Sequence, residues 1–456
     1  MRNREVSVPE LAAASVARIE DTAVVNAFLE LDTARALRLA EAYQRLLDDG
    51  VDLGPLHGIP LAVKANIDIS GVRSSSGSRI LAEHHPDQDA AVVGRLKRAG
   101  GLMVGTTNMH EFAWGGTTDN PHYGACRNPW DLERIPAGSS GGSGAAAATR
   151  SVFAALGTDT GGSVRLPASM NGVTGIRPTI GRVSNAGVLP LAWSMDTVGP
   201  IAPSALDCAL VLQSIAGYDP ADPTTRDVPV EDFLAGIERP LDGLRIAVVD
   251  DYSLQGLQPG VEAAFRHALR TFEALGCRIE TISLPELEPV VDAQVIIDAC
   301  EPTAIHLPWL TTRPDDYGLD VRTLLQAGAL FSALEYIQAQ RYRTHLRGVV
   351  AARFQDVDLI ATPTIPFTAP LIGEHLVPVD GGHEDTLVGN MKYTALPSMT
   401  GMPAISVPCG FDELGLPVGM QLMAAPFQEA TLFRAAYGFQ RHTAFHTQLP
   451  ALIAAR

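Results

Sequence analysis

The sequence predicts an α/β protein with one large mixed, mostly parallel central sheet covered by helices on both faces. Two observations lead there. Short apolar runs alternate along the chain with segments of helical periodicity, a pattern that places helices on both sides of a sheet. In addition, 46% of the 456 residues are hydrophobic and 19% are charged, a balance suited to a sizeable core and unlike that of a disordered chain. Large α/β enzymes often fill such a length with one wide sheet, so the chain is expected to form a single domain over 1–456.

The elements follow in order. Ser7-Val8-Pro9-Glu10 has the pattern of a capping box with an early proline and opens a first helix. A strand-like run, Val24 to Leu31, precedes a second helix that stops at Gly50, so residues 1–50 form an N-terminal helical region. Leu61-Ala62-Val63 reads as a buried strand, Ala90 to Arg98 as a helix and Leu102-Met103-Val104 as the next strand. Later, Arg245 to Val249 reads as a strand followed by a helix around Val261 to Leu275. Asp358 to Ala361 and Ala404 to Val407 read as further buried strands. The Pro/Asp-rich stretch from Tyr218 to Pro229 suits a surface loop within one domain better than a tether between two. No internal repeat is evident.

Composition excludes several classes of function. A net charge of −17 is the wrong sign for a nucleic-acid surface. The first ten residues carry charges where a signal peptide would need an apolar run. Apolar stretches elsewhere are broken by Gly, Pro or charge short of a membrane-spanning length. A cytoplasmic location is therefore expected. The five cysteines (Cys126, Cys208, Cys277, Cys300 and Cys409) are scattered and read as free thiols. Neither they nor the twelve histidines show a metal-ligand spacing, so no metal and no cofactor are expected.

Lysine is the compositional oddity. Among 34 basic residues only Lys64, Lys97 and Lys392 are lysines. A chain that relies on arginine for charge makes each lysine a candidate for a task arginine cannot perform, because a buried lysine can lose its proton. Lys97 falls in a polar helical stretch and reads as a solvated charge, and Lys392 is ambiguous. Lys64 closes an apolar strand.

Between Gly138 and Pro167 the order is a glycine-serine turn (Gly138-Ser139-Ser140-Gly141-Gly142-Ser143-Gly144), a run of alanines, an apolar strand and a second glycine-serine turn (Gly157-Thr158-Asp159-Thr160-Gly161-Gly162-Ser163). Glycine-rich turns free backbone N–H groups to converge on one point. Two of them joined by one helix–strand unit bring their serines to the same end of a sheet. A flexible linker does not fit the apolar segments between the turns. A phosphate loop would need Gly-Lys-Ser/Thr, and this stretch has no lysine. Gly138-x-Ser140-x-Gly142 satisfies the nucleophile-elbow pattern G-x-S-x-G. The preceding residues, Asp131 to Pro136, are polar and end in proline, whereas an elbow follows a buried strand.

At this point the sequence resembles the amidase-signature family. The Gly138–Pro167 region matches its Gly/Ser-rich signature, and Leu56-His57-Gly58-Ile59-Pro60-Leu61-Ala62-Val63-Lys64 resembles its lysine-bearing strand. Thr107 to Phe112 and Arg127 to Asp131 resemble further family segments, as do Gly401 to Pro408 and Gly415 to Gln421 downstream. The match runs from about Gly54 to Gln440, with residues 54–205 carrying the catalytic core.

The resemblance implies a Ser–Ser–Lys relay with Ser163 as nucleophile, Ser139 as bridging serine and Lys64 as base. It also implies a cis Gly138–Ser139 peptide and an oxyanion hole of N–H groups at Thr160, Gly161, Gly162 and Ser163. Lysine serves as a base only when neutral, and burial among Leu61, Val63 and Ile67 lowers its pKa. Asp159 and Arg165 are expected to brace the second turn. Ser140 and Ser143 are expected to cap the helix that follows them, and Ser163 can combine its role with that of a helix N-cap. Trp114-Gly115-Gly116-Thr117 and the stretch from Ile297 to Tyr342 are the expected substrate walls.

The implied reaction is hydrolysis of an amide, anilide or carbamate C–N bond in a small molecule through an acyl-enzyme, by a monomer or homodimer. The residues through Arg134 resemble the glutaminase subunit of the tRNA-dependent amidotransferase. That subunit recognises glutamine partly through an acidic residue about ten positions before the Gly401-Met402-Pro403 segment. Here Asn390-Met391-Lys392-Tyr393 supplies no carboxylate, which favours a free-standing amidase. A catalytically inactive scaffold is the remaining alternative, and the intact Lys64, Ser139 and Ser163 speak against it.

Overall fold

The computed structural model describes Met1 and residues 5–454. Among the described residues thirteen strands follow one another. The first six are β1 (Phe28–Leu31), β2 (Pro60–Lys64), β3 (Leu102–Thr107), β4 (Ala154–Asp159), β5 (Thr174–Arg177) and β6 (Thr197–Ala202). Then come β7 (Arg245–Val249), β8 (Arg278–Ile282) and β9 (Leu359–Pro363). A small hairpin of β10 (Leu376–Val379) and β11 (Gly382–Asp385) precedes β12 (Ala404–Phe411) and β13 (Pro417–Met423). Eleven of these form one sheet in the order β1-β3-β2-β4-β6-β5-β12-β13-β9-β7-β8.

The sheet is mixed, as expected, but its parallel pairing is confined to two flanks. Strand β2 runs parallel to β3 and β4, and β7 runs parallel to β8 and β9. The other six neighbouring pairs are antiparallel. Chain connectivity explains part of this correction to a mostly parallel sheet. Only Asp412 to Leu416 join β12 to β13, far too few residues for a parallel crossover.

Helices cover both faces. Side chains alternate across a strand, so successive residues enter different layers. In β7, Ile246 and Val248 pack with Phe265 and Phe272 of the helix Pro259–Ala274. Their neighbours Ala247 and Val249 face Val290 and Ile297 of the helix Val290–Thr312 and Leu346 of the helix Ala333–Arg353. At the other flank, Leu61 and Val63 of β2 join the first cluster while Ala62 packs with Ala36 and Ala40 of the helix Thr33–Asp48.

The N-terminal helix Val8–Asp21 has the expected capping box, with Ser7 and Glu10 bonded reciprocally. The run from Val24 to Leu31 is not one strand. Ala23–Val25 makes a turn of 3-10 helix, Asn26 takes a left-handed conformation (φ 53°), and only then does β1 begin. The Asn26 amide donates to the carbonyls of Tyr123, Gly124 and Ala125, which holds the break in place. The stretch from Tyr218 to Pro229 is a loop anchored on residues 181–185. Ser184 donates to Asp219 at 2.7 Å, Asn185 N to Asp222 at 2.7 Å, and Arg226 N to the Gly181 carbonyl at 2.9 Å. Among the described residues no helix is long and apolar enough to cross a membrane.

Strand β6 approaches β5 so closely that a Cβ on Gly199 would lie 1.9 Å from the Ile176 carbonyl oxygen. Gly199→Ala is expected to force the strands apart at a cost of about 2 kcal/mol or more. The check is a lower midpoint in urea unfolding followed by far-UV circular dichroism.

Candidate active site

The site begins where parallel strands β2 and β4 end, since crevices of α/β sheets open at the carboxyl ends of their strands. Lys64 is the last residue of β2 and Asp159 the last of β4. The turn Thr160–Val164 leads from β4 into the short helix Arg165–Met170. Gly138 and Ser139 arrive from the other side and are joined by a cis peptide, in keeping with the resemblance. Behind them the helix Gly141–Ala148 is wholly buried, which its sequence of glycine, serine and alanine allows. The two serine-bearing turns abut, with Ser140 N donating to the Ser163 carbonyl at 3.3 Å.

Ser140 occupies the N-cap position of this helix, but neither its hydroxyl nor that of Ser143 makes a capping bond. The first-turn N–H groups are taken by other partners, Gly141 N by Thr118 Oγ1 (3.1 Å) and Gly142 N by the Asn108 carbonyl (3.0 Å). The serine hydroxyls turn instead to strand β4. Ser140 Oγ donates to the Thr158 carbonyl at 3.2 Å and Ser143 Oγ to the Leu156 carbonyl at 3.0 Å. They lock the first turn to the strand that launches the second. Ser163 is not a cap either, because Val164 occupies the N-cap position of the helix that follows.

Asp159 organises the second turn. Its carboxylate accepts from Gly162 N at 3.0 Å and Val164 N at 3.2 Å. It also accepts from Arg165 Nε at 3.0 Å, Arg165 Nη2 at 2.8 Å and Arg177 Nη1 at 3.0 Å. All three charged residues are completely buried. Burial alone would raise the Asp159 carboxyl, but the two guanidinium groups and the backbone donors outweigh it and hold it well below the usual carboxylate range. Arg165 reaches onward to Gln421 Oε1, Ser398 Oγ and the Thr394 carbonyl. Asp159 and Arg165 thus hold the turn from within, and Arg177 is a third member of the cluster. This arrangement corrects one expectation. The N–H of Gly162 is engaged by Asp159, whereas those of Gly161 and Ser163 make no hydrogen bond among the described residues. Gly162 itself has φ 129°, a region that suits glycine.

Lys64 Nζ donates to Ser139 Oγ at 2.6 Å and to Thr158 Oγ1 at 2.8 Å, and the side chain has no solvent exposure. Burial pushes its pKa down to about 7, against the opposing pull of Asp196 and Asp159. The other two lysines make different contacts. Lys97 pairs with Asp89 at 2.7 Å, and Lys392 donates to the Gln255 carbonyl at 2.6 Å. Thr160 Oγ1 donates to Asp196 at 2.6 Å, and burial raises the Asp196 carboxyl to about 6. Among the described residues no cluster of His, Cys, Asp and Glu is arranged to hold a metal ion.

Ser163 and Gly138 border one cavity. Of the expected walls, Trp114, Gly115 and Gly116 line it, but Thr117 does not, its hydroxyl lying 3.2 Å from His110 Nδ1. The stretch from Ile297 to Tyr342 contributes Asp298, Ala299, Leu324, Ala327 and Phe331. Asn390 and Met391, at the position compared above with the glutamine-recognising carboxylate, form a further wall with Leu387, and sequence reading singles out none of Leu387, Thr158 and Asp298. For Asp298 a signal is present, since Gln294 and Asp298 are polar residues four apart in an otherwise apolar helical run. No comparable signal marks Thr158.

A family profile described as Amidase matches residues 10–433. The glutamyl-tRNA(Gln) amidotransferase subunit of Moorella thermoacetica is 40% identical, over 99% of this chain and 96% of its own. A solved structure described as part of a vestigial protein complex bearing on the origins of an s-triazine catabolic enzyme superposes with TM-score 0.93 at 36% identity, covering 97% of this chain and 96% of that one. A bacterial aryl acylamidase of the amidase-signature family superposes with TM-score 0.90 at 26% identity, covering 100% of this chain and 97% of its own. With its profile matched across nearly the whole length and these relatives alongside, the chain belongs to the amidase-signature family.

Proposed function

We propose that this protein is a free-standing serine amidohydrolase that cleaves the C–N bond of a small amide, anilide or carbamate through a Ser163–Ser139–Lys64 relay. The observation that carries the reading is the contact between a fully buried lysine, its pKa near 7, and the hydroxyl of Ser139. An amine so placed is neutral in a large fraction of molecules at physiological pH and can take a proton. The aryl acylamidase relative and the apolar cavity walls support a small organic substrate.

In this mechanism Ser163 Oγ attacks the scissile carbonyl carbon. Its proton passes to Ser139 Oγ as the proton of Ser139 passes to Lys64 Nζ. The developing oxyanion is met by the N–H groups of Gly161 and Ser163, with Thr160 beside them. The tetrahedral intermediate collapses, and the leaving nitrogen takes the proton of Ser139, which Lys64 replaces. Water then attacks the acyl-enzyme, giving up its proton along the same relay, and the carboxylic acid leaves as Ser163 is restored. Thr158 keeps the amine oriented by accepting one of its N–H bonds, and in the neutral amine the contact with Ser139 reverses so that Ser139 Oγ donates to the lone pair.

A second reading has its own support, since the amidotransferase relatives reach 40% identity over nearly the whole chain. Under it the substrate is glutamine and the product ammonia is passed on. The segment Asn390–Tyr393 lacks a carboxylate and weighs against it. Turnover of glutamine above that of anilides and carbamates in a substrate panel would favour this second reading.

Ser163→Ala and Lys64→Ala are each expected to lower kcat by about 10⁴-fold or more, while Ser140→Ala remains active. A fluorophosphonate probe is expected to label Ser163 in the natural protein and to fail in Ser163→Ala. Activity that survives in Ser163→Ala but not in Ser140→Ala would transfer the nucleophile to Ser140, and an unlabelled natural protein would point to an inactive scaffold. The pH profile supplies an independent check. Below about 7 the Lys64 amine is protonated and cannot act as base, so kcat/KM is expected to rise through pH 7 and level off above it. A rate that falls between about pH 6 and 8 would remove Lys64 from that role.

A further inference from the structure

The cavity beside Ser163 is mainly apolar, but its polar atoms are unusual in kind. Asp298 is 7% exposed and borders the cavity from the helix Val290–Thr312. Its Oδ2 accepts from Gln294 Nε2 at 2.9 Å, while its Oδ1 has no partner among the described residues. Asn390 borders the same cavity from the helix Thr386–Met391. Its Nδ2 donates to the Gly116 carbonyl at 3.4 Å, and its Oδ1 is also unpaired. Gln294 Oε1 makes a third buried oxygen without a partner. Each of the three is a hydrogen-bond acceptor, and buried acceptors in folded proteins are nearly always satisfied.

Resting on the amidohydrolase reading above, we propose that Asp298 is a specificity-determining residue that receives an N–H donor carried by the acyl portion of the substrate. Position supports this. A Cβ built on Gly161 would lie 2.4 Å from Gln294 Nε2 and 3.5 Å from Asp298 Oδ2, so the polar pair sits against the turn that leads into Ser163. The donor it takes therefore lies close to the scissile carbonyl. Burial raises the Asp298 carboxyl to about 7, consistent with a group kept away from water and from full pairing. A methylene at that place in the substrate would leave the oxygen unsatisfied, and a site built to bond a polar group rejects the analogue that lacks it. The neutral N–H of an amide or urea and the N–H of an ammonium share this chemistry.

Activated esters test the subsite without making demands on the leaving group. The p-nitrophenyl ester of N-acetylglycine offers a neutral N–H, and that of 4-oxopentanoate replaces it with a methylene. The glycine and propanoate esters form the ammonium pair. Release of p-nitrophenolate gives kcat/KM above the Ser163→Ala background, normalised to hydroxide hydrolysis of each ester. At least one N–H member is expected to exceed its partner by about tenfold or more, and which pair shows the gap identifies a neutral or an ammonium donor. In Asp298→Ala, or the apolar near-isostere Asp298→Leu, that ratio is expected to fall to near one. A ratio near one for both pairs in the natural protein overturns the proposal, whatever the variants do. So does a ratio unchanged in the variants, or an equal loss on both esters, which would make Asp298 a prop for the Gly161 turn through Gln294. No release above background from any ester would overturn the relay itself, and the subsite with it.

Discussion

Two guanidinium groups and one carboxylate share a dry space at the end of β4, and the shape of the turn Thr160–Val164 depends on the carboxylate the two cations share. Asp159 binds the N–H groups of Gly162 and Val164 on one side and the side chains of Arg165 and Arg177 on the other. Removing Asp159 from such a buried cluster leaves two guanidinium groups without their carboxylate, typically at about 3–5 kcal/mol. Arg177 belongs to β5 and Arg165 to the helix after the turn, so the cluster joins the sheet to the loop. It engages Gly162 N, whereas the neighbouring amides of Gly161 and Ser163 have no partner among the described residues and are the oxyanion donors of the proposed mechanism. A rigid, pre-aimed set of donors costs no reorganisation when negative charge develops.

Lys64 presents the opposite electrostatic situation. Its two hydrogen-bond partners among the described residues are hydroxyls, those of Ser139 and Thr158. Hydroxyls orient an amine without holding its proton as a close carboxylate would. The wide sheet supplies the desolvation, since β2 lies between β3 and β4 with every residue buried. Asp159 at the end of β4 and Lys64 at the end of β2 thus coexist because burial outweighs the pull of Asp159 and Asp196 on the amine. The sheet separates two tasks that would interfere if they met.

Much of this is legible in the sequence, and the reasons differ by element. The strand ending in Lys64 stands out because lysine is so rare here, and the two glycine-serine turns because their order and spacing are specific. Strand directions are less legible. A short apolar run looks the same in either direction, and only a short connection such as Asp412 to Leu416 betrays an antiparallel pair. Local rules assign the hydroxyls of Ser140 and Ser143 to the helix, but Thr118 and Asn108 fill those N–H groups from distant parts of the chain. Asn26 breaks a run that reads as a continuous strand, through contacts about a hundred residues away. The place of Leu387 in the cavity wall is invisible for the same reason. Local patterns report what a segment can do alone, and packing decides which of its options survive.

The scarcity of lysine has a consequence beyond the choice of a base. Under the proposed mechanism an ester forms on Ser163 at every turnover, and stray amines are the natural traps for such acyl groups. Lys64 is sealed inside, Lys97 is held by Asp89, and Lys392 is bonded to a backbone carbonyl beside the Tyr393 ring. The guanidinium groups that take lysine's place elsewhere stay protonated and do not act as nucleophiles. The surface of this protein accordingly offers few side-chain amines to stray acyl groups, and equally few for amine-directed labelling or immobilisation.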